Sequence, residues 1–288
     1  MTIHAPLLLM AAALAAAASD EWPQFRGPNA SGVSGNTGLP FEFGPDRNVV
    51  WKTPLPPGHS SPVLAGDSIF VTAVDQEKLF VISLDRATGR IKWRREVPRP
   101  RREDRHKANS AASPSVASDG RNAYAFFTDF GLMAFGSDGN ELWRIPLGPF
   151  NNPMGMGASP VLAGDKLLMI CDQESGSFFL AVDKRTGKTL WRAERSDFTR
   201  GFSTPILYQP KEGGLQAIVA GSYQLTAYSV DTGQPVWWTR GLTWQLKPTP
   251  VLSNDMIFVQ CWAGDADNGQ QETIEPFAEA LKRMDRNH

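Results

Sequence analysis

Short runs of β-branched and aromatic residues, bounded by Gly, Asp, Asn or Pro, recur along the chain between residues 60 and 260. The first four runs are residues 63–64, 69–72, 79–82 and 91–94. Such runs are typical of half-buried antiparallel strands, in which β-branched and aromatic side chains pack well. No stretch of this region keeps the period of an amphipathic helix. The hydrophobic pattern therefore predicts units of four short strands joined by tight turns.

Two landmarks repeat in register with these units. The first is a proline at the head of a strand, with steps of 52, 46, 45 and 45 residues between Pro62, Pro114, Pro160, Pro205 and Pro250. The second is a glycine four residues before a tryptophan, in the pairs Gly89 and Trp93, Gly139 and Trp143, Gly187 and Trp191, and Gly233 and Trp237. Four-stranded units that repeat roughly every 40 to 50 residues are the signature of a β-propeller.

The repeat thus predicts an all-β fold, a propeller with four whole blades, an opening outer strand near Trp51 and half of a fifth blade. A β-sandwich would not space its tryptophans regularly, and a helical solenoid would show the helix period. Each blade Trp is expected on the outermost strand, with its ring covering the gap to the next blade. An outer strand that arrives without inner partners indicates an incomplete ring.

The ends of the chain predict segments outside the propeller. Residues 1–18 contain twelve consecutive apolar residues and end on alanines, which fits a secretory signal peptide and a periplasmic or secreted protein. Twelve apolar residues are too few to span a bilayer, so we expect no transmembrane span in the mature chain. Because the first residues lack Lys and Arg, an uncleaved anchor or a disordered start is the alternative. An N-terminal extension at 19–48 and the propeller at 49–267 follow.

The last segment, 268–288, predicts a short C-terminal helix that begins near Pro276. Its apolar face leads into Asp285 and Asn287, which resemble positions one and three of an EF-hand loop. Two oxygen donors hold calcium poorly, so we expect no tight binding there. An ordinary amphipathic helix is an equal alternative.

Charge and cysteine content narrow the function classes. With 29 basic and 30 acidic side chains, the chain has no global field for nucleic acid or an anionic membrane. The only cysteines, Cys171 and Cys261, make neither a disulfide framework nor a four-ligand zinc site. Each lies eleven residues after a repeat proline, and the same offset gives Ala125 in the second unit. This position is therefore predicted to hold small, buried residues on the second strand of a blade.

The run Ala181-Val-Asp-Lys-Arg-Thr-Gly-Lys-Thr-Leu-Trp191 resembles the repeat of the pyrroloquinoline-quinone (PQQ) propeller superfamily. The segment Trp22-Pro-Gln-Phe-Arg-Gly27 is similar to the opening of exported bacterial PQQ-like propeller repeat proteins of that quinoprotein alcohol dehydrogenase-like superfamily. The resemblance covers about residues 22–267 and implies the propeller fold. The superfamily includes quinoprotein dehydrogenases and a propeller subunit of the outer-membrane β-barrel assembly machinery.

The resemblance also allows an enzyme interpretation. Quinoprotein alcohol dehydrogenases carry adjacent cysteines against the quinone, with Glu, Asn and Asp around a calcium ion. Here the cysteines are ninety positions apart, and we identify no matching calcium ligands in the sequence. We therefore expect no cofactor, no catalytic residue and a non-catalytic binding or assembly scaffold. A PQQ-dependent dehydrogenase with calcium is the alternative.

Candidate binding residues lie in the connections from the last strand of one blade to the first strand of the next. In propellers these connections gather on one face around the axis. The candidates for this propeller mouth are His59, His106, Asn109, Asn152, Arg200, Trp244 and Lys247. They predict contact with a protein or small-molecule ligand of unknown identity, and solvated loop residues are the alternative. The longest connection, 94–107, has eight basic and three acidic groups and predicts either a solvated loop or a contact for an acidic partner.

Overall fold

The structure, a computed structural model, describes residues 21–261. The predicted signal peptide and the C-terminal helix with Asp285 and Asn287 lie outside the described residues. Within residues 21–261 the fold consists of four separate four-stranded antiparallel sheets and a two-stranded hairpin. The only helix among these residues is a 3-10 turn at Pro28–Ala30. The predicted all-β propeller with four whole blades and half of a fifth is confirmed.

The blades follow one another along the chain, and each sheet keeps its strands in sequence order. Blade 1 comprises β1 (Val63–Ala65), β2 (Ser68–Asp75), β3 (Lys78–Asp85) and β4 (Ile91–Val97). Blade 2 comprises β5 (Ala117–Ser118), β6 (Ala123–Phe127), β7 (Gly131–Phe135) and β8 (Glu141–Pro146). Blade 3 comprises β9 (Val161–Ala163), β10 (Lys166–Cys171), β11 (Phe178–Asp183) and β12 (Thr189–Glu194). Blade 4 comprises β13 (Ile206–Tyr208), β14 (Gln216–Gly221), β15 (Gln224–Ser229) and β16 (Pro235–Arg240), and β17 (Val251–Ser253) with β18 (Met256–Phe258) forms the hairpin.

The first strand of each blade is the innermost. Strand β1 lies against β5, β5 against β9, and β13 against β17. The middle strands β6, β7, β10 and β11 are buried along nearly their whole length. Their apolar side chains form continuous clusters across the blade junctions. The hydrophobic core therefore lies between blades, as face-to-face packing of sheets requires.

The repeated Trp and Gly residues meet across these junctions. Trp93 donates its indole N–H to the Ser137 carbonyl in blade 2 at 3.0 Å, and Trp143 donates to the Lys184 carbonyl in blade 3 at 2.9 Å. The ring of Trp143 covers Gly187, where an added Cβ would lie 2.8 Å from Trp143 Cδ2. The glycine of each turn thus lies directly beneath the tryptophan ring of the preceding blade. Trp51 fills this role for blade 1 although it belongs to no sheet.

A chain of hydroxyl groups ties the inner strands together where they begin. Ser61, Ser115 and Ser159 each donate a backbone N–H to the hydroxyl of the next blade, at 2.9, 3.0 and 3.0 Å, ending on Thr204. These four residues are therefore structurally equivalent, and Ser115 follows the repeat proline of blade 2 instead of preceding it. The sequence repeat is shifted by two residues in that blade.

The shift corrects one prediction about the small-residue position. With Ser115 equivalent to Ser159, the counterpart of Cys171 in blade 2 is Phe127, so the assignment of Ala125 was wrong. Cys171 itself lies on the second strand of blade 3 and is fully buried, as predicted. Burial and the neighbouring Asp172 raise the pKa of the Cys171 thiol well above its ordinary value. Cys261, which follows the β17–β18 hairpin, is half-buried, and both cysteines are free.

Candidate functional site

The mouth loops are the connections between blades, residues 98–116, 147–160, 195–205 and 241–250, together with residues 54–62 before β1. Because the four strands of a blade are antiparallel, successive connections alternate between the two faces. The turns between second and third strands therefore lie on the same face as the mouth loops, and the turns between first and second and between third and fourth strands lie on the opposite face. All seven candidate residues lie in the mouth loops. Their side chains, however, have different environments.

Asn109 and Asn152 hold the mouth loops in place. The Asn109 side chain donates to the Met154 carbonyl at 2.7 Å and so joins two successive mouth loops. Asn152 is buried, and its amide donates to the Asp172 carbonyl at 3.3 Å. Buried amides that bond backbone carbonyls stabilise loop geometry. We therefore assign both asparagines a positioning role in this face.

The two histidines are exposed on the same face. The backbone N–H of His59 donates to the Ala112 carbonyl at 3.0 Å, while Nδ1 of His106 accepts from the Ala108 N–H at 3.2 Å. In the described part of the chain, no hydrogen bond or ion pair connects either imidazole to Arg200. The predicted residues are therefore not joined in a single hydrogen-bonded network among the described residues.

Arg200, Trp244 and Lys247 lie on the side of the mouth nearest blade 4. The Arg200 guanidinium carbon lies 4.9 Å from the Trp244 ring centre, which is a cation–π contact. The indole N–H of Trp244 donates to the Thr199 hydroxyl at 3.2 Å. Lys247 is exposed in the same loop as Trp244. These three predicted residues are the ones that the structure groups together.

Arg200 uses only part of its hydrogen-bonding capacity. Its Nε donates to the Glu174 carboxylate, and within residues 21–261 neither terminal nitrogen has a hydrogen-bond partner. Arg200 has a positive φ of 46°, and Tyr223, which packs against Trp244, has a φ of 62°. Left-handed backbone at such side chains is costly and concentrates at ligand-binding positions. The site therefore combines a rigid aromatic surface with an incompletely paired cation.

Sequence reasoning missed the ion pair beneath this site. The Arg195 side chain is 0% exposed and its partner Asp172 1% exposed, with Nε to Oδ1 at 2.8 Å and Nη2 to Oδ2 at 2.9 Å. The third nitrogen donates to the Tyr228 hydroxyl, and Phe198 stacks on the guanidinium at 3.9 Å. Burial alone would lower the pKa of Arg195, but Asp172 and Tyr228 outweigh it and the net shift is upward. No repeat landmark marks either residue, so the sequence held no signal for the pair.

The basic connection between blades 1 and 2 is held against the protein. Arg99 bonds the buried Asp129 at 2.7 Å, and Arg105 bonds the other oxygen of the same carboxylate. Arg101 pairs with Glu103 and donates to the Thr128 carbonyl at 2.9 Å. Acceptors within the protein thus bond Arg99, Arg101 and Arg105, which would be exposed in a freely solvated loop. This observation weakens the prediction of an acidic-partner contact at that loop.

Two buried hydroxyl groups at the mouth have no hydrogen-bond partner in the described chain. They belong to Ser203, in the loop of Arg200, and Thr243, in the loop of Trp244. Buried polar atoms are nearly always satisfied, so such atoms call for an explanation. Both lie in the loops that carry the incompletely paired arginine and its aromatic partner.

Two features of the described residues bear on the PQQ and calcium alternative. Among residues 21–261 there is no group of three or more His, Cys, Asp or Glu side chains arranged to hold a metal ion. The adjacent cysteine pair of the quinoprotein alcohol dehydrogenases has no counterpart, since Cys171 is buried in blade 3 and Cys261 follows the hairpin. We assign no residue of the described chain to a cofactor. The partial loop at Asp285 and Asn287 lies outside these residues.

Across residues 21–261, no helix has the length and apolar character needed to cross a membrane.

A family model described as outer membrane protein assembly factor BamB matches residues 44–179 and 174–273. An outer membrane protein assembly factor BamB from Francisella salina is 26% identical over 116 residues, which cover 40% of this chain and 20% of that protein. The match thus spans about a fifth of the length of this curated relative.

Solved structures of two kinds are similar. Quinohemoprotein alcohol dehydrogenase ADHIIG from Pseudomonas putida HK5 has a TM-score of 0.50 and 18% identity over 64% of this chain and 34% of its own. BamB from Moraxella catarrhalis has a TM-score of 0.49 and 16% identity over 74% of this chain and 60% of its own. At 18% identity the first likeness shows the propeller fold alone. Because the family model covers most of the blades described above, the chain belongs to the PQQ-like repeat family described as outer membrane protein assembly factor BamB.

Proposed function

We propose that this protein is an exported, non-catalytic binding or assembly scaffold that docks a protein partner at its mouth. The family description and the name of the Francisella relative both refer to outer membrane protein assembly, which supports a protein partner. A propeller suits this role because its rigid blades hold variable loops on one face. The periplasm is the compartment in which such a partner would be met.

The Arg200–Trp244 pair is the observation that carries the proposal. Arginine and tryptophan are the residue types most enriched among energetically dominant contacts in protein interfaces. The terminal nitrogens of Arg200, unpaired within the described residues, can make the bidentate contact that a planar guanidinium forms with a carboxylate. The side chains of the ion pair with Glu174 are 21% and 29% exposed, so exchanging Glu174 for a partner's carboxylate costs less free energy than breaking the fully buried Asp172–Arg195 pair would.

The buried hydroxyls of Ser203 and Thr243, which have no hydrogen-bond partner in the described chain, lie close in sequence to the docking residues. Both lie in the two loops that carry Arg200 and Trp244. Because both hydroxyl oxygens are closed off from solvent, a docked chain would bond them only if these loops rearrange on binding. Asn109 and Asn152 keep the neighbouring loops in position for such a contact.

Site-specific photo-crosslinking in an exporting bacterial host tests the docking site. A photoreactive residue at Lys247 should give a discrete protein adduct, and the matched probe at Arg185, exposed in a turn on the opposite face, should not. Arg200→Ala should lower the adduct yield at Lys247, whereas Arg185→Ala should leave it unchanged. Equal adducts at both positions, or a yield insensitive to Arg200, would count against the mouth.

Two further measurements test export and the absence of catalysis. The mature protein from the periplasm or medium should begin near Ser19, and a cytosolic product that starts at Met1 would contradict export. Dye reduction with alcohols or glucose after addition of PQQ and Ca²⁺ should give no turnover. Turnover would favour the dehydrogenase alternative.

A further inference from the structure

Residues 21–30, here called the strap, lie against the inner edges of the blades and not outside the ring. Trp22 exchanges both backbone hydrogen bonds with Leu64 of β1, at 2.8 and 2.9 Å. The next carbonyl, of Pro23, accepts the Ser118 N–H of β5 at 2.8 Å. At the other end of the strap, the Asn29 side chain donates to the Leu207 carbonyl at 2.8 Å and accepts the Leu207 N–H at 2.7 Å.

The three residues that the strap contacts occupy the same level in their blades. Leu64, Ser118 and Leu207 each lie three positions after an equivalent hydroxyl residue at the start of the inner strand. Leu64 pairs with Ile69 in the sheet but sends its own N–H and C=O to the strap. An innermost strand has one edge without a strand neighbour, and its backbone groups need other partners. The strap supplies them in blades 1, 2 and 4.

The backbone of the strap changes direction sharply between blade 1 and blade 4. Arg26, Gly27, Asn29 and Ala30 all have positive φ, so the chain turns abruptly between its contacts with blades 1 and 4. Gly27 lies beneath the Trp22 ring. Ala30 is completely buried beside Ile206 and Leu246, which fixes the far end in the core of blade 4. Such strained backbone persists only where the surrounding contacts determine it.

We infer that the strap acts as an intramolecular ligand for the inner strand edges. It takes the place of an added β-strand there and links blade 4 to blades 1 and 2 as a clamp. It thereby excludes other extended peptides from these edges. The antiparallel contact of Trp22 with Leu64 has the hydrogen bonds that a peptide makes when it adds to a sheet edge. While the strap is bound, a partner has access to the mouth loops and the rim but not to these edges. This inference does not depend on the proposed function.

Amide hydrogen exchange of the native full-length protein tests the clamp without any substitution. Leu162 in blade 3 is the internal control, since it occupies the equivalent level but has no hydrogen bond to the strap in the described chain. The amides of Leu64, Ser118 and Leu207 should exchange at least about tenfold more slowly than that of Leu162. Equal rates at all four positions would overturn the inference.

Substitutions at Asn29 separate the clamp from general stability. Asn29→Ala should raise exchange at Leu207 to the rate of Leu162 while Leu64 stays protected, and Asn36→Ala, in the segment after the strap, should change neither. Asn29→Asp keeps the oxygen that accepts the Leu207 N–H, so that amide should remain slow. If Leu207 is unaffected by Asn29→Ala, or if all amides in the protein accelerate together, the strap is not a specific clamp.

Discussion

Arg195 and Arg200 are five residues apart in one mouth loop, yet they lie in opposite surroundings. Arg195 is sealed between blades 3 and 4 with every nitrogen bonded, whereas Arg200 lies at the mouth with one nitrogen bonded within the described residues. A buried charge is tolerated only when its partners are complete, while a partly exposed pair such as Arg200–Glu174 is more easily exchanged. The same residue type thus stabilises the blade junction in one place and offers a contact surface in the other.

Removing one carboxylate from each pair should show the largest difference between the two regions. Asp172→Ala leaves Arg195 buried without its main partner and should lower the free energy of unfolding by about 3–5 kcal/mol. Glu174→Ala removes a part-exposed partner of Arg200 and should cost less than about 1 kcal/mol. Urea unfolding followed by tryptophan fluorescence measures both values. Similar costs would mean that the two arginines are not in different environments.

The contacts between turn glycines and tryptophan rings at the blade junctions should give the next largest effect on stability. Gly187 and Gly164 have φ values of 73° and 64°, but only Gly187 lies beneath a tryptophan ring. At Gly164 a methyl group would meet open space. Alanine in left-handed backbone costs about 1–2 kcal/mol at either position. Overlap with Trp143 should add about 1–3 kcal/mol for Gly187→Ala.

Thermal unfolding of the two variants separates the cost of overlap with the Trp143 ring from the cost of left-handed backbone. Gly164→Ala is the matched control, because it lies in the same blade and has the same sign of φ. Gly187→Ala should unfold at a clearly lower temperature than Gly164→Ala. If the two midpoints coincide, the Trp143 ring does not depend on the glycine.

The regular interior was predictable from the sequence because its determinants repeat. The Gly–Trp spacing predicted both the strands and the blade junctions, because the same contact between a tryptophan ring and a turn glycine recurs at each junction. The prediction failed where the repeat is broken, at the two-residue shift before Ser115 that moves Phe127 into the position assigned to Ala125. A shift within a loop leaves no trace in hydrophobic periodicity.

The mouth was predictable only in outline. Chain topology was enough to collect Arg200, Trp244 and Lys247 on one face, but not to separate them from the exposed His59 and His106. The Asp172–Arg195 pair was missed because its partners are 23 positions apart and only tertiary packing buries them. The strap was missed because it occurs once in the chain.

The coupling between Arg200 and Trp244 should be a smaller effect, confined to the mouth. A double-mutant cycle with Arg200→Ala and Trp244→Leu, measured by urea unfolding, should give about 0.5–1 kcal/mol of interaction free energy, as for a partly exposed cation–π pair. Arg200→Lys keeps the charge but loses the planar stack, and should retain less than half of that coupling. A coupling near zero would mean that the ring does not hold the guanidinium in place.

The smallest effect concerns Asp183, on the face opposite the mouth, where hydrogen bonds outweigh burial in setting the pKa of the carboxylate. The Thr186 hydroxyl and N–H bond the Asp183 carboxylate at 2.7 Å each, and the side-chain hydrogen bond is the main reason that the pKa of Asp183 lies below its ordinary value of 3.8. A lowered folded-state pKa stabilises the protein above the unfolded pKa, and this stabilisation is lost as the pH falls through the folded value. Thr186→Val should therefore be less stable than wild type at neutral pH, with the difference shrinking below about pH 4.

Blade 4 supplies the matched control for this titration. There Ser229 replaces the aspartate of the turn, and its hydroxyl accepts the Thr232 N–H at 3.3 Å. Because serine does not titrate in this range, any cost of Thr232→Val should stay constant from pH 7 to about pH 3. Urea unfolding of both variants across this range gives the comparison. A pH-independent cost for Thr186→Val would show that the Asp183 carboxylate, unlike the buried Asp172, contributes nothing through its charge.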